Sequence, residues 1–137
     1  MTRLPYNPRA AGGTMLEHHE QVALMEMVHL YEGRVPELAL LFAVPNGGAR
    51  DVITGARLKQ EGVKRGVPDL VLPVAKQGYH GLAIELKRER GGQVSPEQRW
   101  WHEQLREQGW RVEVCMGYKA AWTVLEDYLG CSMPLTF

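Results

Sequence analysis

Two short stretches carry charge where buried strands would be apolar. In GVPDLVL, residues 66–72, Asp69 follows Pro68 and interrupts an apolar run. In LAIELKR, residues 82–88, Glu85 and Lys87 interrupt another. Side chains alternate faces along a strand, so Glu85 and Lys87 share one face, with small Ala83 beside them. Leu82, Ile84 and Leu86 point the other way, into a core. Asp69 opens the preceding strand, and a hairpin brings it beside Glu85. Two carboxylates a few ångströms apart repel unless positive charge sits between them. A divalent cation meets that need, because carboxylate oxygens and waters are the ligands Mg²⁺ prefers. An ammonium next to a metal-bound water can orient that water and lower its pKa, or steady the charge on a pentavalent phosphate. The competing reading makes Glu85 and Lys87 a surface pair on an amphipathic edge strand. The flanking apolar runs favour a central strand, where unpaired charge is costly.

Other elements must hold these groups. Residues 14–32 hold good helix formers, with Thr14 as N-cap and Glu17 three residues on, a capping box. Leu24, Met27, Val28 and Tyr31 recur there at helical spacing, and Gly33 stops the helix. Residues 38–44, LALLFAV, read as a strand ended by a Pro45-Asn46-Gly47-Gly48 turn. Residues 51–61 form a short helix closed by Gly62. Strands at 69–74 and 80–88, joined by a tight Gln77-Gly78 turn, make an antiparallel hairpin. Ser95-Pro96-Glu97-Gln98 opens a helix with Ser as N-cap, Pro at N1 and Gln at N3, running to about Gln108. A strand at 110–115 and a helix at 118–129 complete the order αβαββαβα, an α/β domain with one sheet covered by helices.

A chain of 137 residues suits one domain with a real core. We expect a loose arm over residues 1–13, a domain over 14–130 and a tail over 131–137. No stretch approaches the roughly 20 apolar residues that a membrane span needs. The opening MTRLPYNPRAAGG lacks the apolar core of a signal peptide. Cys115 and Cys131 are too few for a disulfide scaffold or a cysteine zinc site, so the expected compartment is a reducing cytoplasm. Formal net charge is zero, so any nucleic-acid surface must be local. Arg57, Lys59, Lys64 and Arg65 form one basic cluster, and Lys87, Arg88 and Arg90 another. Each is either a solvated face or a grip on a phosphate backbone.

Pro68-Asp69 followed by Glu85-Leu86-Lys87 resembles the PD-(D/E)xK nuclease pattern. GVKRGVPDLVL at 62–72, AIELKR at 83–88 and SPEQRWWHEQLREQGWRVEVC at 95–115 are together similar to the VRR-NUC family, the virus-type replication-repair nucleases. VPNGGAR at 44–50 and the opening helix fit the same resemblance, which covers about residues 16–129. It implies a restriction-endonuclease-like mixed central sheet flanked by helices, and a metal-dependent phosphodiesterase acting on DNA in a bacterial or phage-infected cell. Some relatives resemble Holliday-junction resolvases and act as homodimers, so branched DNA is the expected substrate. Nicking or trimming of flaps or ends, or DNA binding without cutting, are the alternatives.

By the same resemblance Asp69 and Glu85 ligate Mg²⁺ or Mn²⁺, the Leu86 carbonyl is a further ligand, and Lys87 assists the nucleophilic water. The family also uses a first-helix glutamate. Glu20 borders the inward face and is favoured, while Glu17 remains a candidate. Gln98 matches a polar position at the active-site rim; a capping role explains it equally well. Arg57, Lys59, Lys64, Arg65 and Arg88 are the expected DNA contacts. Arg50 beside the Asn46-Gly47-Gly48 turn is another, with the turn's amides open to a phosphate or simply a turn.

Other conspicuous residues have plainer roles. His18 and His29 are 11 apart and cannot chelate one ion as an i, i+4 pair could. Trp100, Trp101, Trp110 and Trp122 are mostly core, with Trp100 or Trp101 the exposed exception able to stack on a base. Cys115 is a small buried hydrophobe.

Overall fold

The computed structural model describes residues 17–45 and 52–135. Within them the chain runs α1 (Glu17–Tyr31), a 3-10 helix (Pro36–Leu40), β1 (Phe42–Ala43), α2 (Val52–Gln60), β2 (Leu70–Leu72), β3 (Leu82–Lys87), α3 (Pro96–Glu107), β4 (Arg111–Met116) and α4 (Tyr118–Leu129). The four strands lie in the order β1-β2-β3-β4. β1, β2 and β3 are antiparallel neighbours, while β3 and β4 are parallel, so the sheet is mixed. The parallel pair is joined through α3, as a parallel crossover requires.

The expected αβαββαβα order stands with one change. Residues 38–44 were expected as a strand, but Pro36–Leu40 coil into a 3-10 helix and only Phe42 and Ala43 are extended. Pro36 opens that turn with a preset φ. The amides of Leu38 and Leu41 donate to the carbonyls of Val35 and Leu38. The turn buries Leu38 and Leu41 in the core, which a strand alternating faces would separate. Thr14, Asn46, Gly47, Gly48 and Arg50, each given a role above, lie outside the described residues.

β3 is buried along its whole length. Leu82, Ile84 and Leu86 face a core built with Leu24, Met27 and Val28 of α1 and Ala121, Trp122, Leu125 and Tyr128 of α4. Ala83, Glu85 and Lys87 face the other way, where α3 brings Gln98 and His102. The hairpin between β2 and β3 turns at Gln77 and Gly78, with φ of 52° and 84°. Two successive positive φ values are the signature of the tight hairpin turn whose twist matches its strands. The Gln77 side-chain amide donates to the carbonyls of Asp127 and Tyr128, tying the turn to the end of α4.

The core extends past residue 130, where only a tail was expected. Met133 is fully buried, its amide donates to the Glu126 carboxylate, and its carbonyl accepts the Trp122 indole N–H at 2.6 Å. The Tyr31 hydroxyl donates to the Pro134 carbonyl, so this segment is bound to both α1 and α4. No helix among the described residues is long and apolar enough to cross a membrane.

Gly66 shows how tightly the loop before Asp69 is held. Its φ is +96°, and a Cβ there would stand 2.7 Å from the carbonyl carbon of Glu97 in the first turn of α3. Gly62 has nearly the same φ, +97°, but open space around it. Gly66→Ala is expected to cost roughly 2–5 kcal/mol, combining left-handed strain with overpacking, and Gly62→Ala only the strain, about 1–2 kcal/mol. Urea unfolding of the two variants measures the difference. Equal losses would show that the loop does not depend on its contact with α3.

Candidate active site

Asp69 sits one residue before β2, where that strand's ladder with β3 has ended. Its side chain continues the pairing: Oδ2 accepts the Leu86 amide at 2.7 Å, while its carbonyl accepts the Val44 amide at 2.8 Å. The Leu86 carbonyl lies on the same edge of β3 as that amide, by the geometry of an extended strand. Asp69 and the Leu86 carbonyl therefore share one edge.

Glu85 is fully buried and Lys87 is 4% exposed. Three groups from α3 and α1 surround them. Gln98 bridges the two: its amide nitrogen donates to Glu85 Oε2 at 3.3 Å, and its oxygen accepts Lys87 Nζ at 3.0 Å. The same oxygen accepts the Ser95 amide at 2.9 Å, completing a capping box with the Ser95 hydroxyl. Gln98 thus completes the capping box and also contacts both charged residues, and the two donors at its oxygen fix the orientation of its amide. His102, one turn further along α3, shares a hydrogen bond of 3.1 Å between its Nε2 and Glu85 Oε1.

His102 was missed in the sequence. The readable signal was its spacing: four residues after Gln98, it must share Gln98's face of α3. Burial holds its imidazole below the usual pKa, with Arg106 and Lys87 adding to the effect. His102 is therefore a neutral partner for Glu85.

The first-helix glutamates separate by role. Glu20 lies on the core-facing row with Leu24, Met27 and Val28. Its Oε1 accepts the Tyr118 amide at 2.9 Å, at the start of α4, where Gly117 supplies no side-chain cap. A carboxylate there satisfies a free amide and complements the helix dipole. Glu17 stands one turn nearer the N-terminus, with its Oε1 3.7 Å from Lys87 Nζ. The structure brings Glu17, rather than the favoured Glu20, to the lysine.

These contacts have an electrostatic consequence. The Glu85 carboxyl is pushed up to about 9, first by burial, then by a hydrogen bond to Asp69 and by the charges of Asp69 and Glu17; Lys87 opposes the rise. One lysine does not compensate several carboxylates, so the pocket retains a proton or takes up another cation. The donors fit a hard cation. Carboxylate and carbonyl oxygens from Asp69, Glu85 and Leu86 suit Mg²⁺ or Mn²⁺, which need only one or two carboxylates because waters complete the shell. Among the described residues, no three His, Cys, Asp or Glu side chains form a ready-made cage. A metal would therefore have to draw Glu85 away from the proton it holds.

The basic residues divide as well. Arg57, Lys59, Lys64 and Arg65 are exposed. Arg88 is half-buried and donates to the Gly91 carbonyl, which closes its own turn. Trp122 is core, Trp110 lies against Gly81, and Trp100 is 55% exposed. Cys115 is buried, and its thiol is pushed up to about 12 by desolvation, so it is inert.

A mixed four-stranded sheet flanked by helices, with an Asp at one strand start and Glu-x-Lys on its neighbour, defines a nuclease-like α/β fold. The VRR-NUC domain model matches residues 18–119, three quarters of the chain, and the chain belongs to that nuclease family. A solved structure described as a VRR-NUC domain protein is similar at 26% identity and a TM-score of 0.70, covering 85% of this chain and 90% of that one. No curated protein matches.

Proposed function

We propose that this chain is a metal-dependent DNA endonuclease that hydrolyses phosphodiester bonds in branched DNA as a homodimer. One observation carries the reading: Glu85 and Lys87 are buried on the face of β3 that α3 covers, with Asp69 beside Glu85. A carboxylate and a lysine held out of water stabilise a fold less well than apolar residues of similar size would, which points to chemistry. Asp69, Glu85 and the Leu86 carbonyl would hold Mg²⁺ or Mn²⁺, with Glu17 rather than Glu20 as the helix donor. Glu20 is already engaged at α4. When bound, the ion would supply Lewis acidity and a water of lowered pKa.

Within this chain, Lys87 would orient the attacking water and steady the charge that develops on the phosphate oxygens. A new P–O bond forms to the water oxygen, the P–O bond to the leaving sugar oxygen breaks, and the water's proton is released as that alkoxide is protonated. Gln98 holds Lys87 in place and His102 holds Glu85. Arg57, Lys59, Lys64 and Arg65 would attract the backbone in a salt-dependent way. Branched DNA needs cuts on two strands, and a symmetric dimer would present two sites. The two free cysteines suit a reducing cytoplasm.

Incubation with Mg²⁺ or Mn²⁺ and labelled four-way junction, flap and linear duplex tests the reading. Paired, symmetric cuts in the junction, faster than in the other two, are expected. Equal cutting of all three would remove the branched-DNA assignment. Binding without any cutting would remove the enzymatic one.

A further inference from the structure

Beside the proposed catalytic centre lies an open pocket of about 540 Å³, lined by Lys64, Arg65, Pro96, Glu97, Trp100 and Trp101. We propose that it receives an unpaired nucleobase next to the scissile phosphate, with Trp100 as the stacking surface and Lys64 and Arg65 holding the flanking phosphate. This inference rests on the nuclease reading and narrows its substrate to DNA with an unstacked nucleotide at the cut.

Three observations carry it. Trp100 is 55% exposed, in a helix whose other large aromatic neighbour is pinned. Trp101 donates its indole N–H to the Arg65 carbonyl at 3.1 Å, which fixes the pocket wall. The two rings meet edge to face, 5.4 Å apart at 88°, so Trp101 braces Trp100. A braced, exposed ring costs little to order when a base stacks on it, and every base has a π-face.

The charges fit a base within a strand better than a lone phosphate. Lys64 and Arg65 are exposed cations. Glu97 would repel a phosphate placed in the pocket itself, yet its carboxylate can accept from a base's exocyclic amine. Two of the pocket's walls also lie close in the chain to residues of the catalytic centre. Glu97 precedes Gln98, which bonds both Lys87 and Glu85. Arg65 precedes Asp69 by four residues, a span of at most ~14 Å. A flap offers an unpaired nucleotide at that short distance from its branch point, whereas a four-way junction, paired in every arm, would have to open a base pair at its crossover to supply one.

The test compares wild type, Trp100→Ala and Trp100→Phe. Affinity is measured without divalent metal, so that no DNA is cut. The probes are a fluorescent blunt duplex and the same duplex carrying a short mixed-sequence single-stranded arm. Trp100→Ala is expected to weaken binding of the armed duplex roughly 5- to 150-fold and that of the blunt duplex less than about two-fold. Trp100→Phe should recover most of the loss. A parallel loss on both probes would make the pocket a general backbone contact and overturn the proposal. Unchanged binding of the armed duplex would also overturn it, leaving the exposed ring as a protein-contact surface. So would a wild type that binds the two probes equally. Cleavage with Mn²⁺ is scored separately: failure to cut any substrate sinks the nuclease reading, whereas the pocket stands or falls on the binding ratio.

Discussion

Lys87→Met is expected to lower the DNA cleavage rate roughly 10²–10³-fold at saturating metal, the loss typical of removing one group that stabilises developing oxyanion charge. Methionine nearly preserves the volume of the lysine stem, so the buried site is not emptied. The Gln98 oxygen keeps the Ser95 amide as a donor, which limits the structural cost. DNA binding should change little, because Lys87 is 4% exposed and cannot contribute much to a backbone surface. A second effect separates catalysis from metal loading. Lys87 lowers the pKa of Glu85, so removing its charge makes Glu85 hold its proton more tightly. The variant should need more metal, or higher pH, to saturate. Single-turnover rates across a Mn²⁺ titration resolve the two effects. If the variant cuts at the wild-type rate once metal is saturating, Lys87 has no part in the chemistry.

Glu85→Gln is expected to remove a large pH dependence of stability. The folded carboxyl is raised from 4.5 to about 9, so the folded state keeps a proton that the unfolded chain releases. Stability from this group is therefore fully present below pH 4.5 and falls as pH rises toward about 9, where the dependence ends. The slope approaches about 1.4 kcal/mol per pH unit inside that window, so the loss by neutral pH is on the order of 3 kcal/mol. Glutamine keeps the shape, can still hydrogen-bond His102 and carries no proton to lose. In metal-free buffer the variant should resist urea more than wild type at pH 8 to 9 and match it near pH 5. On the proposed reading it should also be inactive, having lost a carboxylate that would hold the metal. For the wild type, added Mg²⁺ should restore alkaline stability, because the ion takes the place of the proton. Parallel stability curves for the two proteins across that pH range would refute the assignment of the buried charge.

The amino-acid sequence determined by itself whatever depends on spacing and local conformation. Ser95 to Gln98 specified a capped helix start, and Gln77-Gly78 a hairpin turn, because both signals act within a few residues. Strand alternation separated Glu85 and Lys87 from Leu82, Ile84 and Leu86, and the hairpin register placed Asp69 beside Glu85. Those were enough to place the two acids and the lysine together, while the mixed nuclease-like sheet came from the resemblance to the PD-(D/E)xK pattern. Only the tertiary structure gave Glu17 and Glu20 different partners. They lie three residues apart on nearly the same side of one helix, so periodicity cannot distinguish them. The difference depends on how α1 meets α4: Glu20 faces the uncapped amide of Tyr118, leaving Glu17 for Lys87. His102 joined Glu85 by the same kind of rigid placement, through the seating of α3 over β3. The apolar run at 38–44 and the segment around Met133 went the same way. Apolar composition says that a segment is buried, but burial between packed elements decides whether it lies there as a strand, a turn or an irregular strap.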